Sequence, residues 1–146
     1  MSTDVETLPH RHVLTAPTVP TSVRLMRETA EMTFEAWGIS ASHPTVGPAL
    51  LILSELVTNS VRHAATTSPS VTVTFAAGEY TLAFAVHDRH PYHPGVVTAA
   101  SGTGGLATVA EVMAESGGTC VVRRDADGGG KTVWITLPLQ GRRQRR

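Results

Sequence analysis

Residues 50–64 read Leu50-Leu51-Ile52-Leu53-Ser54-Glu55-Leu56-Val57-Thr58-Asn59-Ser60-Val61-Arg62-His63-Ala64. Val46, Ala49, Leu50, Leu53, Val57, Ser60, Val61 and Ala64 recur three and four apart, the spacing of one buried helix stripe. At about 100° per residue, Glu55, Asn59 and Arg62 fall in a narrow wedge nearly opposite that stripe. A carboxylate, a carboxamide and a guanidinium thus leave one rod in one direction. The plainer reading of the wedge is a solvated face on which Arg62 partners Glu55. Leu51 and Ile52 flank the wedge, however, and predict a helix that is apolar on more than one side at its start. Such a helix lies between layers or walls a pocket. In a pocket, Asn59 is a candidate oxygen donor to a hard cation such as Mg²⁺, and Glu55 a candidate acceptor of a proton from water or a hydroxyl.

The chain has 146 residues, enough for one domain with a real core. Lys+Arg and Asp+Glu balance to a formal net charge of zero, so bulk charge predicts neither nucleic acid nor membrane as partner. The basic run Arg142-Arg143-Gln144-Arg145-Arg146 reads as a disordered, solubilising tail over residues 140–146. The single Cys120 excludes an internal disulfide and a Cys-rich metal site, and its apolar neighbours make it a small core residue. No stretch approaches the roughly 20 apolar residues of a membrane span, and the start has no signal-peptide pattern. A cytoplasmic protein is the expectation.

Residues 1–20 carry Pro9, Pro17 and Pro20 and read as a flexible start with a short extended piece at Arg11 to Leu14. A helix follows, capped by Thr21 or Ser22, with Val23, Met26, Ala30, Phe34 and Trp37 as its stripe and Gly38 just past its end. Pro44 suits the first position of the next helix, capped by Ser42 or His43, which runs to about Ala65. Val71, Val73 and Phe75 alternate with Thr72 and Thr74 in a half-buried strand, and a tight reversal at residues 77–80 leads to a second strand. There Leu82, Phe84 and Val86 share one face, and Asp88 shares their parity. A carboxylate on a core-facing position needs a strong donor. A backbone amide, a loop arginine such as Arg89, or a ligand's exocyclic amine would each serve. Residues 89–103 form a long loop of the kind that often acts as a lid. Gly102, Thr103, Gly104, Gly105 and Leu106 then open a helix, where backbone N–H groups can approach an anion, and Gly117-Gly118 closes it. Two further strands, Thr119 to Arg124 and Lys131 to Leu137, complete an α+β two-layer sandwich with a largely antiparallel sheet and three helices on one face. The domain is expected over residues 21–139.

Several motifs fail. Gly102-x-Gly104-x-x-Ala107 matches the loose dinucleotide fingerprint, but a long Pro-containing loop precedes it where a strand is required. No Gly-Lys-Ser/Thr follows those glycines, so a Walker loop is absent. The seven histidines show no zinc spacing; His87, His90 and His93 cluster near Asp88 but straddle a strand end and a loop.

Taken in order, four segments resemble the GHKL ATP-binding (Bergerat) fold shared by gyrase B, Hsp90, histidine kinases and MutL. Glu55 to Ala64 resembles its N box, His87-Asp88 the start of its G1 box, Gly102 to Leu106 its G2 box, and Gly130-Lys131-Thr132 its late threonine segment. The short length and the lack of a phospho-acceptor hairpin resemble the anti-sigma-factor serine/threonine kinase branch. The resemblance spans roughly residues 20–139. It implies ATP and Mg²⁺ as cofactors, with Asn59 ligating the metal and Glu55 as general base. It further implies Asp88 as acceptor from the adenine amino group, and Gly102, Thr103, Gly104, Gly105 and Leu106 around the phosphates. Thr132 is expected near adenine, through water, and Arg62 beside the phosphates or Glu55. The family usually has a glycine pair after the aspartate; Arg89-His90-Pro91 stands here instead and implies a remodelled adenine floor.

Two functions follow. The first is an ATP-dependent kinase that phosphorylates an anti-anti-sigma (STAS-type) partner and sequesters a sigma factor, with a homodimer as the family's habit. The second is a non-catalytic protein-binding module of the same fold, with weak or no nucleotide binding.

Overall fold

The structure, a computed structural model, describes residues 5–90 and 105–139, with backbone alone at residues 6 and 105–108. After a short 3₁₀ turn at Val5–Thr7 the elements are β1 (His10–Pro17), α1 (Thr21–Ala36), α2 (Val46–Ala64), β2 (Ser70–Ala77), β3 (Thr81–Asp88), α3 (Gly105–Ser116), β4 (Thr119–Arg124) and β5 (Lys131–Pro138). The strands form one antiparallel sheet in the order β1-β2-β3-β5-β4. All three helices cover the same face, as the sequence predicts. Met26 and Phe34 of α1, Ile52, Leu53 and Val57 of α2 and Val109 of α3 join Val73, Phe75, Phe84, Ile135 and Leu137 of the sheet in one core. Each large side chain buried there contributes roughly 1.5–3 kcal/mol relative to an exposed one. Phe34 meets Phe75 edge-on, with ring centroids 5.9 Å apart, and so fixes α1 on β2.

The predicted flexible start is not flexible throughout. His10–Pro17 pairs along its whole length with Ser70–Ala77 and forms an edge of the sheet. Its inward residues are His10, His12, Leu14 and Ala16, of which only Ala16 is fully covered, so the apolar alternation that marks a strand is nearly absent. Pairing with β2, rather than burial of an apolar face, makes this strand.

The first helix ends as the sequence predicts. Gly38 has φ +83°, a conformation glycine adopts without steric cost. Gly38 N–H donates to Glu35 O and Ile39 N–H to Phe34 O, which together close the last turn. The N-terminal caps differ from expectation. Ser22 Oγ donates to Pro17 O at 2.6 Å, holding α1 to the end of β1 and leaving the helix N-terminus uncapped by a side chain. The second helix starts at Val46, two residues after Pro44, and Thr45 Oγ1 donates to Pro138 O at 2.9 Å instead of capping.

The second helix lies between its neighbours and touches both α1 and α3. Its buried residues are the expected stripe without Val61, together with Ile52 and Leu56. Of the two predicted flanks, Ile52 is fully buried and Leu51 is 40% exposed, so the second apolar side exists on one flank only. Val61, expected in the stripe, is half-buried at its margin. No helix among the described residues is long and apolar enough to cross a membrane.

Candidate functional site

Asp88 ends β3 on the helix-facing side and is 3% exposed. An ionised carboxylate alone in such a position would cost several kcal/mol. Three donors offset that cost. Ser60 Oγ, from α2, donates to Oδ2 at 2.6 Å. Lys131 Nζ, from β5, donates to Oδ1 at 2.7 Å, and the His90 backbone N–H donates to the same oxygen at 3.1 Å. Of the partners open to it in the sequence, Asp88 thus takes a backbone amide and not Arg89. The carboxylate joins three elements: the helix carrying the polar wedge, the first residue of β5, and the chain leaving β3.

The wedge itself sits one residue away. Asn59 precedes Ser60, and Glu55 lies a turn earlier; both are half-buried, while Arg62 is exposed. Among the described residues none of the three has a hydrogen bond or ion pair, so the Glu55–Arg62 pairing left open by the sequence is not formed. Half-buried polar groups without protein partners are available to a ligand. The glycine collar is reached only in part. Gly102, Thr103 and Gly104 lie outside the described residues, as does most of the predicted lid loop; Gly105 begins α3 and Leu106 lies in its first turn.

Thr132 is a correction. In the β3–β5 register Asp88 stands opposite Lys131, and His87 opposite Thr132. Directly opposed residues share a face, and successive residues alternate. Lys131 therefore stands on the helix side with Asp88, Val133 and Ile135, while Thr132 stands on the open side with His87. Thr132, expected on the side of the base, thus stands on the face opposite Asp88, and Lys131 stands across from that carboxylate. The signal was present in the sequence: Val133, Ile135 and Leu137 are the buried set, so Lys131 shares their parity.

Arg89 also leaves the site. Its Nη1 binds Asp125 Oδ2 at 2.5 Å and Asp127 Oδ1 at 3.1 Å, and its Nη2 binds Asp127 Oδ2 at 2.9 Å. His87 Nε2 lies 3.0 Å from Asp125 Oδ2. These contacts clasp the end of β3 to the β4–β5 turn. The hydrogen bond with His87, followed by those from Arg89, holds the Asp125 carboxyl below its ordinary range; Arg89 does the same for Asp127, and its own guanidinium is pushed up in return. The residues that replace the glycine pair thus divide their work. Arg89 secures the turn through its side chain, and its backbone N–H donates to Ser68 Oγ at 2.8 Å; His90 turns its amide back on Asp88. No group of three or more His, Cys, Asp or Glu able to hold a metal assembles among the described residues; His93 lies outside them.

A buried carboxylate at the end of a sheet strand, tied to a helix that carries an acid and an amide, is the arrangement of one ATPase class. Residues 47–141 match the family model of the histidine kinase-, DNA gyrase B- and HSP90-like ATPases, and the chain belongs to that family. Among solved structures it is similar to the histidine kinase domain of a blue-light activated histidine kinase from Erythrobacter litoralis EL346, with 28% identity and a TM-score of 0.52. That likeness covers 67% of this chain and 46% of the other, so this chain spans under half of the structure it resembles. No curated protein matches the chain.

Proposed function

We propose that this chain binds ATP with Mg²⁺ and acts in the cytoplasm as a serine/threonine kinase on a STAS-type anti-anti-sigma partner, sequestering a sigma factor when that partner is phosphorylated. The observation that carries the reading is the buried Asp88, held from α2 by Ser60 next to Asn59. Its carboxylate accepts the exocyclic amine of adenine. The Asn59 amide oxygen, half-buried and without a partner among the described residues, is a hard ligand suited to Mg²⁺. One such oxygen fits an ion that keeps its waters and shares the phosphates, not a free-standing metal site. When bound, Mg²⁺ would neutralise charge on the transferred phosphoryl group. Glu55, a turn before Asn59 on the same face, takes the proton of the attacking hydroxyl. Arg62, exposed and without an ion pair among the described residues, meets phosphate oxygens in this reading. The resemblance assigns the phosphates to Gly102, Thr103, Gly104, Gly105 and Leu106, of which Gly105 and Leu106 open α3 and the other three lie outside the described residues.

The second reading, a protein-binding module in which nucleotide is weak or absent, draws on Lys131: Asp88 already has a cationic partner without any ligand. Incubation with γ-labelled ATP and a STAS-type partner protein separates the two. Label on a serine or threonine of that protein, lost in Glu55→Ala, is the expected result. Unlabelled partner in an undiminished complex selects the binding module.

A further inference from the structure

We propose that Lys131 is a specificity-determining residue: its ammonium donates to the ring nitrogen beside the amino group that Asp88 accepts, so the pair selects adenine over guanine. The proposal rests on the nucleotide-binding reading above and adds a residue and a base preference to it.

The argument starts from hydrogen-bond capacity. A carboxylate has about four acceptor positions. Lys131 and the His90 amide occupy Oδ1, and Ser60 occupies one position on Oδ2. Among the described residues one position on Oδ2 is left, enough for a single N–H and too few for two. The Lys131 ammonium has three donors. One is spent on Asp88 at 2.7 Å, a second makes a long contact of 3.5 Å to His90 O, and the third has no partner among the described residues. The lysine side chain is only 12% exposed, so the head is held against the carboxylate and does not sweep through solvent. A ligand N–H docking on Oδ2 therefore finds an ammonium donor next to it.

The two groups together ask for a donor with an acceptor as its immediate neighbour. Adenine offers this: the amino group at position 6 donates and N1 accepts. Guanine presents the reverse, a carbonyl oxygen toward the carboxylate and an N–H toward the ammonium. Its other docking, with two N–H groups on Asp88, needs two open positions where one remains. A threonine at position 131 would impose neither demand through a charge. The strand parity that sends Thr132 to the open face is what puts a cation here.

The test is calorimetric titration, with Mg²⁺ present, of ATP, 1-deazaadenosine triphosphate (N1 replaced by C–H) and GTP into the wild-type chain and into Lys131→Met. A hydrogen bond to a charged group predicts that wild type loses roughly ten- to hundredfold in Kd on passing from ATP to the 1-deaza analogue. GTP binds more weakly still. Lys131→Met should bind ATP more weakly by a similar factor and lose nothing further with the analogue. Should that variant not fold, the wild-type series decides alone. Equal binding of ATP and the 1-deaza analogue by wild type, or tighter ATP binding by Lys131→Met, overturns the assignment while leaving nucleotide binding intact; the second result would make the ammonium an obstacle rather than a reader. Failure of wild type to bind any of the three overturns the nucleotide reading and this proposal with it.

Discussion

Replacing Ser60 with alanine removes the one side-chain hydrogen bond that joins α2 to the buried end of β3 among the described residues. The donor and acceptor are 2.6 Å apart and both are almost fully buried, Ser60 at 5% and Asp88 at 3% exposure. A hydrogen bond to a charged group contributes about 1.5–3 kcal/mol, and the loss leaves a buried carboxylate with two donors instead of three. With a urea slope of about 2 kcal/mol/M, a loss of about 2 kcal/mol lowers the unfolding midpoint by about 1 M at unchanged slope. The same helix provides a control. Ser54 Oγ is buried with no hydrogen-bond partner among the described residues, so Ser54→Ala removes an unsatisfied group and installs a better helix former. That variant should be neutral or stabilised by up to about 1 kcal/mol. The reasoning fails if both substitutions cost the same, or if Ser60→Ala stays within about 0.5 kcal/mol of wild type, the range of an ordinary surface change.

The β4–β5 clasp makes stability depend on acid. Asp125 and Asp127 have depressed folded pKa values, so their contribution is present above the ordinary value of 3.8 and is lost as pH falls through the lower folded values. Urea midpoints should hold steady for this contribution down to about pH 5 and fall below pH 4, and the fall should be shallower in Asp125→Asn. Burial pushes the Cys120 thiol up to about 11. Against an ordinary thiol near 8.5, its reaction with a disulfide reagent at pH 8 should be about two orders of magnitude slower in the native chain and should recover in denaturant. Native reactivity equal to that of a free cysteine would place the thiol outside the core.

The sequence made the core of the site legible because period and parity are local. The stripe and wedge of α2 need only the helical repeat, and Asp88 needed only its alternation with Leu82, Phe84 and Val86. What was missed is non-local. Of His10–Pro17 only Arg11 to Leu14 was expected to be extended, because the strand has no apolar face of its own and forms against β2. Arg89 finds its partners 36 and 38 residues away, across a turn. Thr132 is a different kind of miss. The alternation of β5 already set it on the open face, and the likeness to a threonine motif drew attention one residue too far along the strand. A one-residue step in a strand exchanges the two faces, so the group facing Asp88 is an ammonium and not a hydroxyl.

The account rests on Asp88 as the acceptor for a nucleotide, and thermal unfolding with and without Mg-ATP tests it most directly. At a hundredfold excess over Kd, binding stabilises a folded chain by about 2.7 kcal/mol, a rise in Tm of roughly 5–10 °C for a domain of this size. Wild type should show that rise, and Asp88→Asn, compared with its own Tm in the absence of nucleotide, should shift by less than about 1 °C. An unmoved wild-type transition, or an equal rise in both proteins, would contradict the account.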